Sequence, residues 1–226
     1  MNRGYHEIKE HGKREFPFNI YPCSIPVDFS HVALHWHEEM EIIAVKKGKG
    51  RITVDTVSYP VEEGDILAVF PGQLHAISCG NGERMEYENI IFRLSMLMGD
   101  NGDGCTVHFL KPLQEGQAKN PVLIQRNQPD HEVFGKVIQE LDRFSEIRGN
   151  GYQLAVKGQL FLFLYYAYGR GILFTEKKPG HAREKIKGIL EYIREHFGEE
   201  ITIRQAAELC FYSESHFMKY FKQYAG

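Results

Sequence analysis

The sequence predicts an α+β protein in two parts: a β-barrel followed by two helices, and then an all-α helix-turn-helix segment. Three observations support this fold class. In the first half of the chain, short runs rich in Val, Ile, Phe and Tyr alternate with Gly or Pro at intervals of about ten residues, which is typical of antiparallel barrels and sandwiches. Apolar residues then recur at helical spacing. Finally, residues 201–226 contain two short helical patterns separated by a tight turn.

The composition is that of an ordinary globular protein. The chain has 226 residues, of which 42% are hydrophobic and 25% charged, and its net charge is −3. This charge argues against general binding to polyanions, so any contact with nucleic acid would need a local patch. The first residues lack the apolar core of a signal peptide, and the longest apolar run is far shorter than the roughly 20 residues of a membrane span. We therefore expect a cytoplasmic protein without membrane contact.

The predicted boundaries divide the chain at a short linker. The first domain covers residues 1–175, with the barrel over about 4–125 and two helices over about 130–170. The linker covers residues 176–181, which are charged and include an adjacent Pro and Gly. Residues 182–226 are helical again. The first apolar stripe of this last segment consists of Ile186, Ile189, Leu190, Ile193 and Phe197.

The two helices after the barrel differ in how clearly they show a buried face. The first has apolar residues at helical spacing between Asp130 and Arg148, whereas the second, over about 151–168, is apolar on nearly all sides. We expect the second helix to pack on the first through Leu154, Phe161, Leu164, Tyr165 and Tyr168. Its remaining face needs another partner, either a second copy of the chain or the outer surface of the barrel. That face consists of Leu160, Phe163 and Ala167.

A cluster of histidines is the strongest chemical signal in the barrel. Because side chains alternate along a strand, His35 and His37 share one face and Trp36 takes the other. Glu41 can return to the histidine face, and His75 follows a later strand. Three imidazoles and a carboxylate suit a divalent iron, manganese, nickel, copper or zinc ion with open positions for substrate. The same groups can also hydrogen-bond a polar organic ligand, so both interpretations stay open.

The spacing of these residues resembles the two motifs of the cupin superfamily. The first motif is HxH, three residues, Glu41, six residues and Gly48. The second is Gly64, six residues, Pro71, three residues and His75, with its glycine directly after the proline instead of two positions later. The resemblance implies a small double-stranded β-barrel with a central pocket.

The C-terminal stretch predicts two helices with distinct faces. Thr202 can N-cap a helix over about 203–210, and Ser213 a second helix over about 214–224. In the second helix Phe217 and Phe221, with Tyr220 beside them, are expected to pack inward against Ala206 and Leu209. The outer face holds the candidates for contact with DNA bases or phosphates, which are Ser213, Ser215, Met218, Lys219 and Lys222. Positive and negative charges balance in this segment, so a purely structural helical hairpin is the alternative.

The order of these parts strongly resembles the AraC/XylS family of bacterial transcription regulators. The matching pattern is A-x5-S-x3-F-x3-F-K-x3-G, carried by Ala207, Ser213, Phe217, Phe221, Lys222 and Gly226. Phe211 departs from it, because the family often has a turn glycine there. The resemblance implies a small-molecule effector in the barrel, often a sugar, a homodimer formed through the helices after the barrel, and binding to operator or promoter DNA. It also implies a second helix-turn-helix, which this sequence does not reach. We therefore expect a truncated chain with weak DNA binding.

Together, these observations predict a ligand-responsive, DNA-binding transcription regulator that is not an enzyme. Its effector pocket is expected to consist of His35, His37, Glu41 and His75. A sugar or other polar ligand would stack on an aromatic ring of Tyr5, Phe18 or Phe92. The family resemblance places the arm before Phe16 over this pocket. No cofactor is expected. The alternative is a metal-dependent cupin enzyme, an oxygenase or isomerase, in which the same four pocket residues hold a divalent transition metal.

Overall fold

The structure is a computed structural model that describes residues 11–100, 102–174 and 181–225. All but the last residue of the predicted linker lies outside the described residues, as do Tyr5 and Gly226. Among the described helices, none is both long enough and apolar enough to cross a membrane. The element order confirms the predicted fold class, with strands first and helices after them.

The strands form an antiparallel double-layered barrel. The strands are β1 (Phe18–Ile25), β2 (Val32–His35), β3 (Met40–Val54), β4 (Val57–Glu62), β5 (Ile66–Val69), β6 (His75–Ser78), β7 (Met85–Phe92) and β8 (Val122–Ile124). One layer has the order β1-β7-β3-β5-β8, and the other joins β2, β6 and β4 to the second half of β3. β3 therefore belongs to both layers and closes the barrel.

Gly48 marks the point where β3 leaves one layer for the other. Its φ of 77° lies in the left-handed region, which favours glycine. A Cβ atom at this position would also collide with the carbonyl oxygen of Arg84 on the approach to β7. The glycine of the first motif is therefore explained by the close approach of two backbones.

Each strand of the first layer separates two apolar clusters. Ile43 and Val45 of β3 point into the barrel with Tyr87 of β7, while Ile42 and Ala44 point to the outer face. The outer face is covered by α2 (His131–Ile147) and α3 (Tyr152–Gly169). A 3-10 turn (Leu94–Leu97), a π-helical turn (Thr106–Leu110) and α1 (Lys111–Gln114) complete this side. Strand alternation thus places alternate residues of the same strands in the barrel interior and in the sheet-helix core.

The predicted stripe of α2 is confirmed. The predicted stripe of α3 is confirmed for Leu164 and Tyr168, which pack in the sheet-helix core, and is wrong for its other three residues. Leu154, Phe161 and Tyr165 were expected to pack on α2, and they are 77%, 40% and 70% exposed. The buried side of α3 consists of Val156, Leu160, Phe163, Leu164 and Ala167, which pack in the sheet-helix core. Because α3 is apolar on nearly all sides, its periodicity cannot select a face. The buried face of α3 is instead determined by its contacts with α2 and the sheet.

The last three helices form a separate apolar cluster, here called the C-terminal cluster. The helices are α4 (His181–Glu195), α5 (Ile203–Leu209) and α6 (Glu214–Ala225). The fully or largely buried members of the cluster are Leu74, Ile186, Ile189, Leu190, Ala206, Ala207, Cys210, Phe217 and Tyr220. Two predictions fail here. Phe197 lies beyond the end of α4 and is 67% exposed, and Leu209 is 48% exposed rather than packed.

The predicted caps of the helix-turn-helix are present. Thr202 forms a capping box with Gln205, in which each side chain bonds the backbone N–H of the other residue. The backbone N–H of His216 donates to the Ser213 hydroxyl at 3.3 Å. Phe211 in the intervening turn has a φ of 57°, so it adopts the left-handed conformation that a glycine would take more easily.

Candidate functional site

The structure brings three histidines and one glutamate together inside the barrel. His35 and His75 are cross-strand neighbours on β2 and β6, and Glu41 lies at the start of β3. His37 lies in the short connection between β2 and β3. One potential ligand atom from each of these residues lies within 4.8 Å of the others. The four predicted pocket residues therefore form a single compact group.

Backbone carbonyl groups fix the orientation of all three imidazole rings. In each ring Nδ1 lies 3.0 to 3.1 Å from the carbonyl oxygen of a residue two positions away. Because a carbonyl oxygen can only accept, each Nδ1 must carry a proton. A neutral ring then presents the lone pair of Nε2 to the centre of the cluster. This is the arrangement that second-sphere hydrogen bonds impose on metal-binding histidines.

The centre of the cluster attracts positive charge. Oε2 of Glu41 lies 3.0 Å from Nε2 of both His37 and His75. Neutral rings protonated at Nδ1 have no Nε2 proton to give this oxygen, so either protons or a cation must lie between them. Nitrogen and carboxylate donors bind first-row divalent metals at about 2.0–2.2 Å. Ligand atoms this close together match such an ion, so the residues fit a divalent transition metal.

The charges of the cluster are set by its burial. Burial, with repulsion from His75 as the next cause, lowers the pKa of His35 to about 3. Burial alone would raise the pKa of Glu41, but the His75 and His37 rings, whose Nε2 atoms lie 3.0 Å from its Oε2, hold this pKa well below its usual range. At neutral pH the cluster therefore combines an ionised carboxylate with a neutral His35, as a metal or a polar ligand requires.

Two neighbouring groups that the sequence analysis missed support the cluster. Glu39, whose carbonyl oxygen accepts the His37 proton, also accepts a 2.8 Å hydrogen bond from Nε of Arg93. Gln73, whose carbonyl oxygen accepts from His75, binds the backbone N–H of Phe70 through its side chain. These pairs hold the turns on both sides of the pocket. Arg93 is 54 residues away from Glu39 in the sequence, so no local spacing announces the contact.

His11 is a fourth imidazole beside the cluster. It is 4% exposed, Nδ1 lies 3.2 Å from the Tyr21 hydroxyl, and its ring centroid lies 6.2 Å from that of His37. Gly12 allows this approach, because its φ is 88° and a Cβ atom there would lie 2.6 Å from the Phe18 carbonyl oxygen. The described part of the arm therefore lies against the pocket. The arm shows no motif that singles out His11.

Two of the three predicted stacking residues do not line this pocket, and the third, Tyr5, lies outside the described residues. Phe18 and Phe92 are buried on the outer face of the sheet, in the core shared with α2 and α3, so that prediction is wrong. The physical reason is strand alternation, because both point away from the face that carries Glu41. The buried aromatic residue on the inner wall is Tyr87, whose pKa is raised by burial.

The predicted DNA-facing residues all lie on the solvent side of α6. Phe217 and Tyr220 are buried, and Phe221 is partly buried against the C-terminal cluster. The opposite face is exposed and holds the residues singled out from the sequence, Ser213, Ser215, Met218, Lys219 and Lys222. Two of the five carry positive charge, and the helix N-terminus adds unpaired backbone N–H groups.

The fold and the pocket define a cupin-like barrel that carries a polar cluster on its inner wall. A family model described as the AraC-like ligand binding domain matches residues 26–164, which is more than half of the chain. The chain therefore belongs to the AraC-like ligand-binding domain family. The matched segment begins before β2 and ends within α3, so it includes all four residues of the histidine cluster.

Two curated relatives come from Bacillus subtilis strain 168. The uncharacterized HTH-type transcriptional regulator YdeC is 20% identical over 225 residues, which cover 99% of this chain and 76% of that protein. The uncharacterized HTH-type transcriptional regulator YbfI is 25% identical over 198 residues, which cover 85% of this chain and 66% of that protein. The chain thus spans about two thirds to three quarters of the length of these relatives.

Two solved structures show weaker similarity. ToxT from Vibrio cholerae O395 is 16% identical with a TM-score of 0.41, over 93% of this chain and 75% of that one. A Cupin 2 conserved barrel domain protein from Salinispora arenicola CNS-205 is 22% identical with a TM-score of 0.32, over 35% of this chain and 66% of that one.

Proposed function

We propose that this protein is a ligand-responsive, DNA-binding transcription regulator of the bacterial cytoplasm. Residues 1–175 would form its sensing and dimerising domain, residues 176–181 its linker and residues 182–226 its DNA-binding segment. One observation carries the proposal. A barrel of the AraC-like ligand-binding family with a buried polar cluster is followed, in the same chain, by a capped helical hairpin with a polar and basic outer face. The names of the two curated relatives support the same function.

The proposed effector is a small polar molecule bound at His35, His37, Glu41 and His75. Burying these groups costs free energy unless hydrogen bonds or ion contacts compensate it, so an apolar ligand would bind poorly here. Three imidazoles and one carboxylate can both donate and accept hydrogen bonds, as the hydroxyl groups of a sugar require. His11 and Tyr21 would add two further polar groups at the edge of the pocket.

The proposed DNA contact is made by the exposed face of α6. The helix N-terminus and the Ser213 and Ser215 hydroxyls are suited to phosphate oxygens, while Lys219 and Lys222 can reach base edges or phosphates. In a helix-turn-helix the second helix enters the major groove through such a face. The buried face of α6 is meanwhile held by Phe217 and Tyr220.

Selection from a randomised DNA library, followed by fluorescence anisotropy at several salt concentrations, tests this proposal. We expect the chain to enrich specific sequences. Lys219→Ala should weaken binding and reduce the slope of affinity against salt by about one ion, as the loss of a phosphate contact does. Lys136→Ala, an exposed lysine on α2, is the matched control and should change neither. Absence of any enriched sequence, or equal binding by Lys219→Ala, would contradict DNA recognition by α6.

We also propose that the protein is a homodimer that pairs through the exposed face of α3. This face is apolar, and it consists of Leu154, Phe161, Leu162 and Tyr165. Water contact with so much contiguous apolar surface is unfavourable, and a second copy would cover it symmetrically. Leu162→Glu should convert a dimer to a monomer in sedimentation experiments. Ile203→Glu, which adds the same charge at an exposed apolar position of α5, should leave the dimer intact.

A metal-dependent cupin enzyme is the second candidate, and the geometry of the histidine cluster favours it. The same four residues would hold a divalent transition metal, which would supply Lewis-acid or redox chemistry. Elemental analysis of protein purified without an affinity tag should then find one equivalent of metal, and His37→Ala should remove it. A metal-loaded protein that turns over a small molecule supports the enzyme. Metal without turnover, together with DNA binding, supports a metal-containing sensor.

A further inference from the structure

A single layer of backbone separates the histidine cluster from the C-terminal helices. The segment from Leu34 to His37 covers the end of β2 and the two residues after it. Its His35 and His37 contribute to the cluster inside the barrel. Their neighbours Leu34 and Trp36 pack on the other side, against the C-terminal cluster of α4, α5 and α6. The alternation of an extended chain therefore places the pocket and the helices on opposite faces of the same segment.

The third histidine repeats this arrangement. Leu74, directly before His75, is fully buried and belongs to the C-terminal cluster together with Ile186 and Ile189 of α4. All three histidines of the pocket are thus sequence neighbours of residues that pack on the helices. We call the backbone from Leu34 to His37, together with Leu74 and His75, the shared wall.

Polar contacts clamp α4 to the shared wall. Asp55 exchanges hydrogen bonds with the backbone of Leu74, at 2.6 Å to its carbonyl oxygen and 3.3 Å from its N–H. The same carboxylate accepts a 2.6 Å hydrogen bond from Arg183 of α4. The ammonium group of Lys187 lies 4.0 Å from the centroid of the Trp36 ring. Lys187 of α4 therefore contacts Trp36 directly, and Arg183 of α4 reaches Leu74 through Asp55.

We propose that the shared wall couples the pocket to the helices: occupancy of the histidine cluster and docking of α4–α6 stabilise each other through it. The proposal rests on the proposed function, since it names the regulation of the same pocket. A ligand that binds all three imidazoles restrains the backbone of the shared wall from the inside of the barrel, because the histidines belong to that backbone. Docked helices fix the same backbone from outside and hold the ligand atoms in place in advance. By linkage, whatever favours one of these states must favour the other equally.

Binding of Co²⁺, followed by its visible absorption, tests the first direction of this coupling. Ile189→Ala removes buried contacts from the C-terminal cluster and touches none of the four pocket residues. We expect it to weaken Co²⁺ binding about 5- to 150-fold, the usual range for coupled sites. Leu141→Ala, equally buried in the sheet-helix core, is the matched control and should leave the affinity unchanged. If Ile189→Ala does not fold, Arg183→Met serves as the second variant with the same expectation.

Hydrogen exchange tests the opposite direction. Co²⁺ should slow amide exchange in α4–α6 of the native chain, whereas Glu41→Gln should speed it even without metal, because the carboxylate no longer holds the imidazoles together. Equal Co²⁺ affinity in the native chain and Ile189→Ala overturns the coupling. If the native chain binds no Co²⁺, unchanged exchange in Glu41→Gln overturns it instead. Either result leaves DNA selection by the chain unaffected, so a failure of the coupling is distinguishable from a failure of the proposed function.

Discussion

Two sets of helices pack on the barrel, and they are held by different kinds of contact. α2 and α3 cover the outer face of the five-stranded layer through a continuous apolar core that includes Phe134 and Phe163, whose rings lie 5.2 Å apart. α4–α6 touch the barrel through one fully buried apolar residue, Leu74, with Leu34 and Trp36 at its margin. Around these residues lie ion and cation–π contacts rather than a second apolar layer.

This difference means that α2 and α3 are bound to the barrel permanently, whereas α4–α6 can dock on it and separate from it. Separation of a large apolar core exposes its whole area to water, at a cost of roughly 25 cal/mol for each Å². Separation of the smaller contact exposes little apolar surface, and the released charges of Asp55, Arg183 and Lys187 regain water. Contacts that are small and partly polar are the usual kind between domains that move. The C-terminal helices thus have the kind of attachment that a ligand can shift.

The largest expected effect comes from the sheet-helix core. Phe134→Ala removes a fully buried ring from its contacts with Phe163 and Tyr166. We expect the free energy of unfolding to fall by about 3–5 kcal/mol, since such a cavity collapses only in part. Urea titration followed by circular dichroism measures it. Leu154→Ala on exposed α3 surface is the control, and a comparable loss there in the monomer would show that the two faces of α3 are wrongly assigned.

A smaller and more local effect is expected in the C-terminal cluster. Leu190→Ala also removes a fully buried side chain, but this cluster can open without unfolding the barrel. We expect a loss of about 2 kcal/mol, at the low end for such substitutions, confined to α4–α6. Amide exchange should accelerate there and stay unchanged in β3 and β7. Equal acceleration in the barrel would mean that the two regions unfold as one unit.

The pair of Asp55 and Arg183 should contribute less than the apolar side chains. The side chains are 17% and 13% exposed, so Arg183→Met leaves a largely buried carboxylate without its ion partner. We expect a loss of about 1–2 kcal/mol. The pKa of Asp55, already raised by burial despite Arg183, should rise further and can be followed by NMR titration. Adding Asp55→Asn should recover part of the loss. If the double variant is no more stable than Arg183→Met, the pair is not the source of the effect.

The smallest expected effect belongs to the cap of α5. Thr202→Ala breaks the capping box with Gln205 and should cost about 0.5–1 kcal/mol. Thr202→Ser keeps the hydroxyl and should restore most of that loss. Thermal unfolding of both variants compares them directly. A loss as large as that of Leu190→Ala would mean that the C-terminal cluster depends on this cap and not on its apolar contacts.

Features set by local rules could be predicted from the sequence. The strand and helix order, the buried stripe of α2 and the caps at Thr202 and Ser213 follow from periodicity and capping chemistry, which act within a few residues. The grouping of His35, His37, Glu41 and His75 followed from strand alternation and motif spacing. In each case the residues that predict the feature are the same residues that form it.

Features that depend on tertiary contact could not be predicted. The buried face of α3 was predicted only in part, because the helix is apolar all round and only its neighbours distinguish its sides. Phe18 and Phe92 were predicted to stack on the ligand because both are aromatic, whereas strand alternation turns them to the outer face of the sheet. Asp55 and Arg183 are 128 positions apart in the sequence, so no local sequence pattern predicts their contact.

Trp36 gives the protein an optical property that follows from its place in the shared wall. It is the single tryptophan of the chain, it is half-buried, and its ring lies beneath the ammonium group of Lys187. Because indole fluorescence shifts to longer wavelength when water replaces protein around the ring, release of α4 would change the colour of the emission. Docked and released states of the C-terminal helices can therefore be distinguished in the native chain, without any label, by the fluorescence of Trp36.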